Sequence, residues 1–236
     1  MVSTKHRSDA TEIMDDFTME GETLRDALDK IAKINQLLGG NSLTLRGVDV
    51  LLADVPKPQL ITIVDVGCGN GDMLRALAEY GKKNGRDFNL IGIDANDFTV
   101  RHAITLSGAY QNISYQCEDI FSTSFSEVKY DILLCTLTLH HFKDEDIERL
   151  MSIFYHNTSI GIVINDLQRS AVAYYLFKAL CAVFGLNKMS RDDGLVSILR
   201  GFKKSELQRF SEKLNFKKYS IRWKWAFRFQ WIINKI

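Results

Sequence analysis

The sequence predicts a doubly wound α/β protein on a mostly parallel sheet, and three observations predict it. Strand-like and helix-like segments alternate from residue 61 to residue 164, the rhythm of a parallel sheet with helices on both faces. Residues 130–137 form a continuous apolar run, as expected of a strand buried on both sides. Every predicted strand ends in polar or acidic residues, which gathers reactive side chains along one sheet edge. A chain of 236 residues with 46% hydrophobic and 25% charged residues is ordinary for a soluble globular protein with a substantial core.

Taken in order, residues 1 to about 20 are polar and acidic and are expected to fray. Leu24, Leu28, Ile31, Ile34 and Leu38 recur at helical spacing, and Gly39-Gly40 supplies a stop. A second helix over 43–53 is expected to be capped by Asn41 or Ser42. These helices make an N-terminal helical cap over 1–58, with Pro56 and Pro58 at its junction with a main domain over 59–236. Strands are read at 61–66, 88–94, 113–117, 130–137 and 159–164. Helices start near Asn70 and Phe98, and Asp144 caps a third carrying Ile147, Leu150, Met151 and Phe154 on one face. The rhythm then breaks at 167–202, an aromatic-rich insertion with a strongly apolar helix, which includes Tyr174, Phe177, Leu180, Val183 and Phe184, followed by Arg191-Asp192-Asp193-Gly194. Ser205-Glu206-Leu207-Gln208 reads as a capping box. Segments 216–222 and 227–233 are two strands joined too closely to be parallel, hence antiparallel neighbours.

The chain is organised around Asp65-Val66-Gly67-Cys68-Gly69-Asn70-Gly71, a strand end, a tight turn and a helix start. Such glycines allow backbone angles closed to other residues and let a ligand lie against the main chain. A helix opening there directs unpaired N–H groups at the ligand. The G-x-G-x-G spacing differs from the dinucleotide fingerprint, which disfavours a nicotinamide oxidoreductase. The other strands end in Asp94-Ala95-Asn96, Cys117-Glu118-Asp119-Ile120, Cys135-Thr136 leading to Leu139-His140-His141-Phe142, and Asn165-Asp166.

With these residues in view the sequence resembles the class I S-adenosylmethionine-dependent methyltransferases, in their small-molecule branch. Asp65 to Gly71 looks like the first motif of that family, and 130–135 like the fourth. The resemblance implies a Rossmann-like methyltransferase fold with seven strands, the last antiparallel, and S-adenosyl-L-methionine as cofactor, leaving as S-adenosyl-L-homocysteine. It implies cofactor contacts from Asp65, Gly67, Cys68, Gly69, Gly71, Ala95, Asn96, Cys135 and Thr136. Asp94 would accept the two ribose hydroxyls, which suits a carboxylate. Asp119 and Ile120 would lie beside adenine, with Glu118 as a competing carboxylate. His140, His141 and Asp166 are the candidates for proton transfer, although methyl transfer needs mainly in-line placement. The insertion at 167–202 would be a substrate lid over an apolar or aromatic small molecule, with Arg169 and Arg200 at its flanks available to an anionic group.

Several classes are disfavoured. The net charge of +1 lacks the basic excess of a nucleic-acid-binding domain. Both prolines precede the first strand, so the Pro-containing signatures of nucleic-acid amino- and cytosine-methylating enzymes are absent. No metal is expected: the end of the fourth strand offers no carboxylate for a hard cation. Four scattered cysteines without a C-x-x-C pair fit a reducing, cytoplasmic setting, and the stretch over 171–186, about 16 residues, is short for a bilayer span. The basic, aromatic tail over 213–236 could bind RNA or a membrane surface, and a strand with aromatics inward explains it as well. The expected partner is a small-molecule methyl acceptor, with the protein a monomer or homodimer. An RNA or protein methyltransferase, or a non-catalytic module that binds the cofactor, are the alternatives.

Overall fold

The computed structural model describes residues 2–57 and 59–236, with the side chain of Phe184 set aside, so Pro58 and the Phe184 side chain lie outside the described residues. Seven strands form one sheet: β1 Leu60–Val66, β2 Asp87–Asp94, β3 Ile113–Cys117, β4 Tyr130–Thr136, β5 Thr158–Leu167, β6 Lys218–Lys224 and β7 Arg228–Asn234. Their order is β3-β2-β1-β4-β5-β7-β6. β7 pairs antiparallel with both neighbours, β5 and β6, while β1 to β5 pair in parallel. The strand order reverses between β1 and β4, and there the crossovers leave to opposite faces and open a crevice beyond the strand ends.

Alternation along the strands supplies both faces of the sheet. Val64, Val66, Leu133, Ile162 and Trp231 face one layer, packed by Ile147, Leu150 and Phe154 of α6 (Asp144–Asn157) and Leu207 and Phe210 of α9 (Lys204–Lys213). Ile61, Ile63, Ile132, Leu134 and Val163 face the other, packed by Val48 and Leu51 of α2 (Gly40–Leu51) and Leu74 and Leu77 of α3 (Asp72–Asn84). Each fully buried aliphatic side chain contributes about 1.5–3 kcal/mol. The aromatic tail is largely explained by this packing, since Phe229 and Trp231 are buried, while Trp223 and Trp225 on the hairpin end are exposed.

Helix α1 (Glu22–Leu37) precedes α2, and α4 (Asp97–Leu106) lies between β2 and β3. A short α5 (Thr123–Glu127) precedes β4, and the insertion forms α7 (Ala171–Phe184) and α8 (Lys188–Arg200). Several expectations are corrected. The glycine pair does end α1, but Gly39, left-handed at φ 78°, also serves as the N-cap of α2. Asn41 therefore lies inside that helix, where its side chain bonds Asn35 and Asp72. Lys143 rather than Asp144 caps α6, which frees the Asp144 carboxylate for Arg7 and Arg209. The box opening α9 is shifted to Lys203, whose N–H donates to Glu206 at 2.7 Å. Residues 191–194, which follow the apolar helix, lie within α8.

The largest correction concerns the N-terminal segment, which is tied down along its length. Ser8 N–H donates to the Leu199 carbonyl at 3.0 Å. Ile13 and Met14 N–H groups donate to the Asp193 carboxylate at 2.8 and 2.9 Å. The Asn96 amide holds the carbonyls of Phe17 and Met19. Polar composition here reflects partners supplied by α8 and the β2 end, which no local pattern reveals.

Candidate functional site

The turn after β1 is shaped by three left-handed residues, Gly67, Gly69 and Gly71, at φ 67°, 53° and 78°. A Cβ at Gly67 would stand 2.3 Å from Thr138 Oγ1, and one at Gly71 would stand 2.0 Å from the Tyr115 hydroxyl. At Gly69 the only neighbour would be Leu28, at 3.9 Å, so this glycine presents bare backbone to open space. The Gly67 and Cys68 N–H groups donate to the Ile93 carbonyl at 2.8 and 3.1 Å, which locks the turn against the end of β2.

That end carries Asp94, whose Oδ2 accepts from Gly69 N–H and Oδ1 from Asn96 N–H, both at 3.1 Å. Burial raises the Asp94 pKa, with these backbone donors partly offsetting it. Each oxygen keeps a lone pair for a ligand hydroxyl. Asp65 is buried with Oδ1 unpartnered. Burial first, then the like charges of Asp72 and Asp94, hold its carboxyl well above the usual range. A positively charged ligand group here would relieve both. At the β3 end, Glu118 is engaged by the Ser122 and Ser124 hydroxyls, whereas Asp119 is exposed and accepts only from Phe121 N–H at 2.9 Å.

The chain leaving β4 turns sharply at Leu137, which holds a left-handed φ of 55°, a strained geometry for a non-glycine residue. The turn brings His140 and His141 back to the edge, their rings 4.4 Å apart. His140 is buried, with Nδ1 2.7 Å from Asp166 Oδ1. The neighbouring His140 N–H also donates to Asp166. An ionised carboxylate only accepts, so Nδ1 carries the proton. Nε2 then faces Glu12 Oε1 across 3.7 Å, and neither atom has a hydrogen-bond partner.

Glu12, Asp15 and Arg200 complete this corner. Ser197 donates to Glu12 Oε2 at 2.6 Å, and burial raises the Glu12 pKa. Asp15 accepts from His141 Nδ1 at 2.6 Å and from Arg200 Nη1 at 2.7 Å. Its burial would raise the pKa, but these two donors hold it below the usual carboxylate range. The remaining Arg200 nitrogens hold the His140 and His141 carbonyls, so Arg200 is spent on the protein rather than offered to a ligand. Arg169 is likewise internal, fully buried against Glu206 at 2.6 Å. Glu12 and Asp15 were not legible as site residues, because only the chain's path across α8 brings them here.

All of this opens on one cavity of about 1150 Å³. Asp65, Gly67, Cys68, Gly69, Asp94, Ala95, Asn96, Asp119, Ile120, Thr136, His140 and His141 line it together. Three expected residues do not. Gly71 is packed under Tyr115 as the N-cap of α3. Cys135 lies in the core, its thiol pushed up by burial. Asp166 is buried behind His140 and acts through it. The Asn96 side chain is committed to capping α4 and holding the N-terminal segment. Cys68 is buried, and burial pushes its thiol well up, which disqualifies it as a nucleophile. The opposite wall is apolar, from Leu28 and Ile31 of α1, Leu176, Phe177 and Leu180 of α7, and Trp225.

Comparison with known proteins follows the same lines. Residues 63–161 match a family described as a methyltransferase domain. A ubiquinone biosynthesis O-methyltransferase of Coxiella burnetii is 32% identical over 83 residues, 35% of this chain and 33% of that protein. The chain thus matches about a third of the length of its curated relatives. Among solved structures, the plantazolicin methyltransferase BpumL in complex with a pentazolic analogue and S-adenosylhomocysteine aligns with a TM-score of 0.65 at 17% identity, covering 89% of this chain and 90% of that one. Magnesium protoporphyrin IX methyltransferase from Synechocystis PCC 6803 with bound S-adenosylmethionine aligns at 0.55 and 15%, covering 94% and 88%. Among the described residues no helix is long and apolar enough to cross a membrane.

Proposed function

We propose that this chain is a class I S-adenosylmethionine-dependent methyltransferase, a reading that its match to a methyltransferase domain over 63–161 supports, and that it methylates a small, apolar or aromatic acceptor on oxygen, nitrogen or carbon. One observation carries the proposal: Asp65, Gly69, Asp94 and Asp119 converge on one wall of a cavity whose other wall is apolar.

The residues fit the cofactor. Gly69 offers backbone where a side chain would intrude, Asp94 retains acceptor capacity for a diol, and the orphaned Asp65 oxygen suits an ammonium group. Ile120 covers an apolar ring face and Asp119 accepts from an amine. When bound, S-adenosylmethionine supplies an electrophilic methyl group on a sulfonium.

The chain's own contribution is placement and proton handling. The N-terminal segment and α7 both contribute side chains to the cavity lining. Asp166 fixes the His140 ring and tautomer, leaving Nε2 unprotonated, so that it takes a proton from an acceptor O–H or N–H once the Glu12 side chain moves aside. Glu12, 3.7 Å away, stabilises the resulting imidazolium. No metal is required in this scheme. Glu12, His140 and His141 do bring potential ligand atoms within 4.8 Å of one another. However, Arg200 Nη1, 3.5 Å from Glu12 Oε1, already supplies positive charge there. Activity should therefore be unchanged in EDTA, and its abolition would refute that part.

The test is calorimetry with S-adenosylhomocysteine, followed by methyl-transfer assays against an acceptor panel. Binding with turnover is expected, and failure to bind would overturn the reading. His140→Asn should lower turnover by about 10²–10⁴-fold while leaving S-adenosylhomocysteine binding within about twofold; unchanged turnover would remove His140 from the chemistry.

A further inference from the structure

One charged group in the cavity wall is used by neither the cofactor cradle nor the histidine corner. Arg228, the first residue of β7, lines the cavity yet is only 3% exposed. Its Nε and Nη1 are closed off from solvent and find no hydrogen-bond partner among the described residues. Burial pulls its pKa down to about 10, partly offset by Asp166, so the guanidinium is charged at neutral pH. No hydrogen bond or ion pair joins Arg228 to Asp166 among the described residues, and the Asp166 oxygens accept from His140 Nδ1, His140 N–H and Leu167 N–H. Removing a charge from water without a hydrogen-bond partner costs several kcal/mol, and a guanidinium that lines a cavity with unsatisfied donors is suited to meet an oxyanion.

The hairpin that ends at Arg228 turns tightly between β6 and β7. Ala226 and Phe227 both adopt left-handed conformations, at φ 60° and 53°, costly for residues with side chains. The strain is maintained by Gln168, whose N–H donates to the Phe227 carbonyl at 2.7 Å and whose side chain accepts from Trp223 Nε1 at 2.8 Å. On the other side α2 presses close. A Cβ at Gly40 would stand 2.9 Å from Arg228 Nη1 and 1.8 Å from Asn35 Oδ1.

We propose that Arg228 is an anion-recognition residue that pairs with a carboxylate on the bound small molecule, and that this carboxylate belongs to the methyl acceptor. The proposal rests on the methyltransferase reading above for the word acceptor, and on the orphaned guanidinium for the anion. Position decides the source. β7 is separated from β1 by β4 and β5. At about 4.8 Å per strand step, its start lies roughly 14 Å across the sheet from the glycine turn. That is the acceptor side of the cavity, below the apolar wall of α7 and beside Trp225. An amphiphilic acceptor, with an apolar or aromatic body and one carboxylate, satisfies both the wall and the cation.

The experiment uses the 236-residue chain saturated with S-adenosylhomocysteine. Hydroxylated aromatic carboxylates of graded size are titrated against their matching carboxamides, with Arg228→Met and Arg228→Lys alongside. Wild type should prefer at least one carboxylate over its amide by tenfold or more. Arg228→Met should abolish that ratio, and Arg228→Lys should keep part of it. Arg228→Met should bind S-adenosylhomocysteine within twofold of wild type and melt no lower, since an unpartnered buried cation has been replaced by an apolar chain. If Arg228→Met weakens S-adenosylhomocysteine but not 5′-methylthioadenosine, the carboxylate is the cofactor's and the acceptor assignment is overturned. If no carboxylate is preferred by wild type, or the preference survives in Arg228→Met, the proposal is overturned. Absence of S-adenosylhomocysteine binding to wild type would instead sink the methyltransferase reading, because the carboxylate ratio can be measured without it.

Discussion

Replacing Asp94 with asparagine separates the demands of binding from those of folding. In the wild type, Oδ1 and Oδ2 each accept one backbone N–H, and the remaining lone pairs are free for ligand hydroxyls. Asparagine keeps one carbonyl oxygen and turns the other position into a donor, which faces either a backbone N–H or a ligand hydroxyl in the wrong sense. A hydrogen bond to a charged group contributes about 1.5–3 kcal/mol, so losing one such bond to the ligand should weaken S-adenosylhomocysteine roughly 10- to 150-fold. Stability moves differently. Burial raises the Asp94 pKa in the folded protein, so its ionisation opposes folding. Its contribution to stability is fully present below the unfolded value, near 3.9, and is lost as pH rises through the raised folded value. The asparagine variant has no such loss, so its denaturant midpoint should be less eroded between that acidic limit and neutrality. Calorimetry for affinity and urea melts across pH check the two halves. Unchanged affinity, or an affinity loss fully accounted for by unfolding, would refute the reasoning.

The acid range should report Asp15 in the opposite sense. Its folded pKa is depressed, with the His141 and Arg200 bonds outweighing burial, so its stabilisation is present above the unfolded value and lost as pH falls through the folded one. Asp15→Asn should cost about 1–3 kcal/mol at neutral pH and much less in strong acid, measured by urea melts; an equal cost at both would exclude the ion-pair account. Trp231→Ala, at the centre of a core layer, should cost about 3–5 kcal/mol and lower the melting temperature with no specific change in ligand affinity. Deleting 170–190 should abolish turnover while sparing S-adenosylhomocysteine binding, because α7 lines only the apolar wall and exposes Val172, Tyr175, Leu176 and Val183. Joint loss of both would instead make α7 part of the core.

The strands along the chain and the polar edge on which they end were legible from the sequence for a local reason. A strand buried on both faces is apolar along its centre, as in 132–135, and a left-handed turn beside bare backbone favours glycine, as at Gly67 and Gly69. Because parallel strands all end at one edge, Asp94 and Asp119 could be assigned to a common site before any coordinates. Cap positions were less legible, since Asn41 and Asp144 have the side chains of caps but bond to distant partners instead. The partners of the charged groups in this cavity were not legible. Glu12 and Asp15 reach His140 and His141 from more than a hundred residues away, Arg200 is consumed by carbonyls from the β4 turn, and Arg228 is orphaned only because α2 and the strained hairpin enclose it. Local pattern encodes the backbone's own needs, period and turn. Which charges meet, and which are left waiting for a ligand, is decided by burial, and burial exists only once the chain has folded.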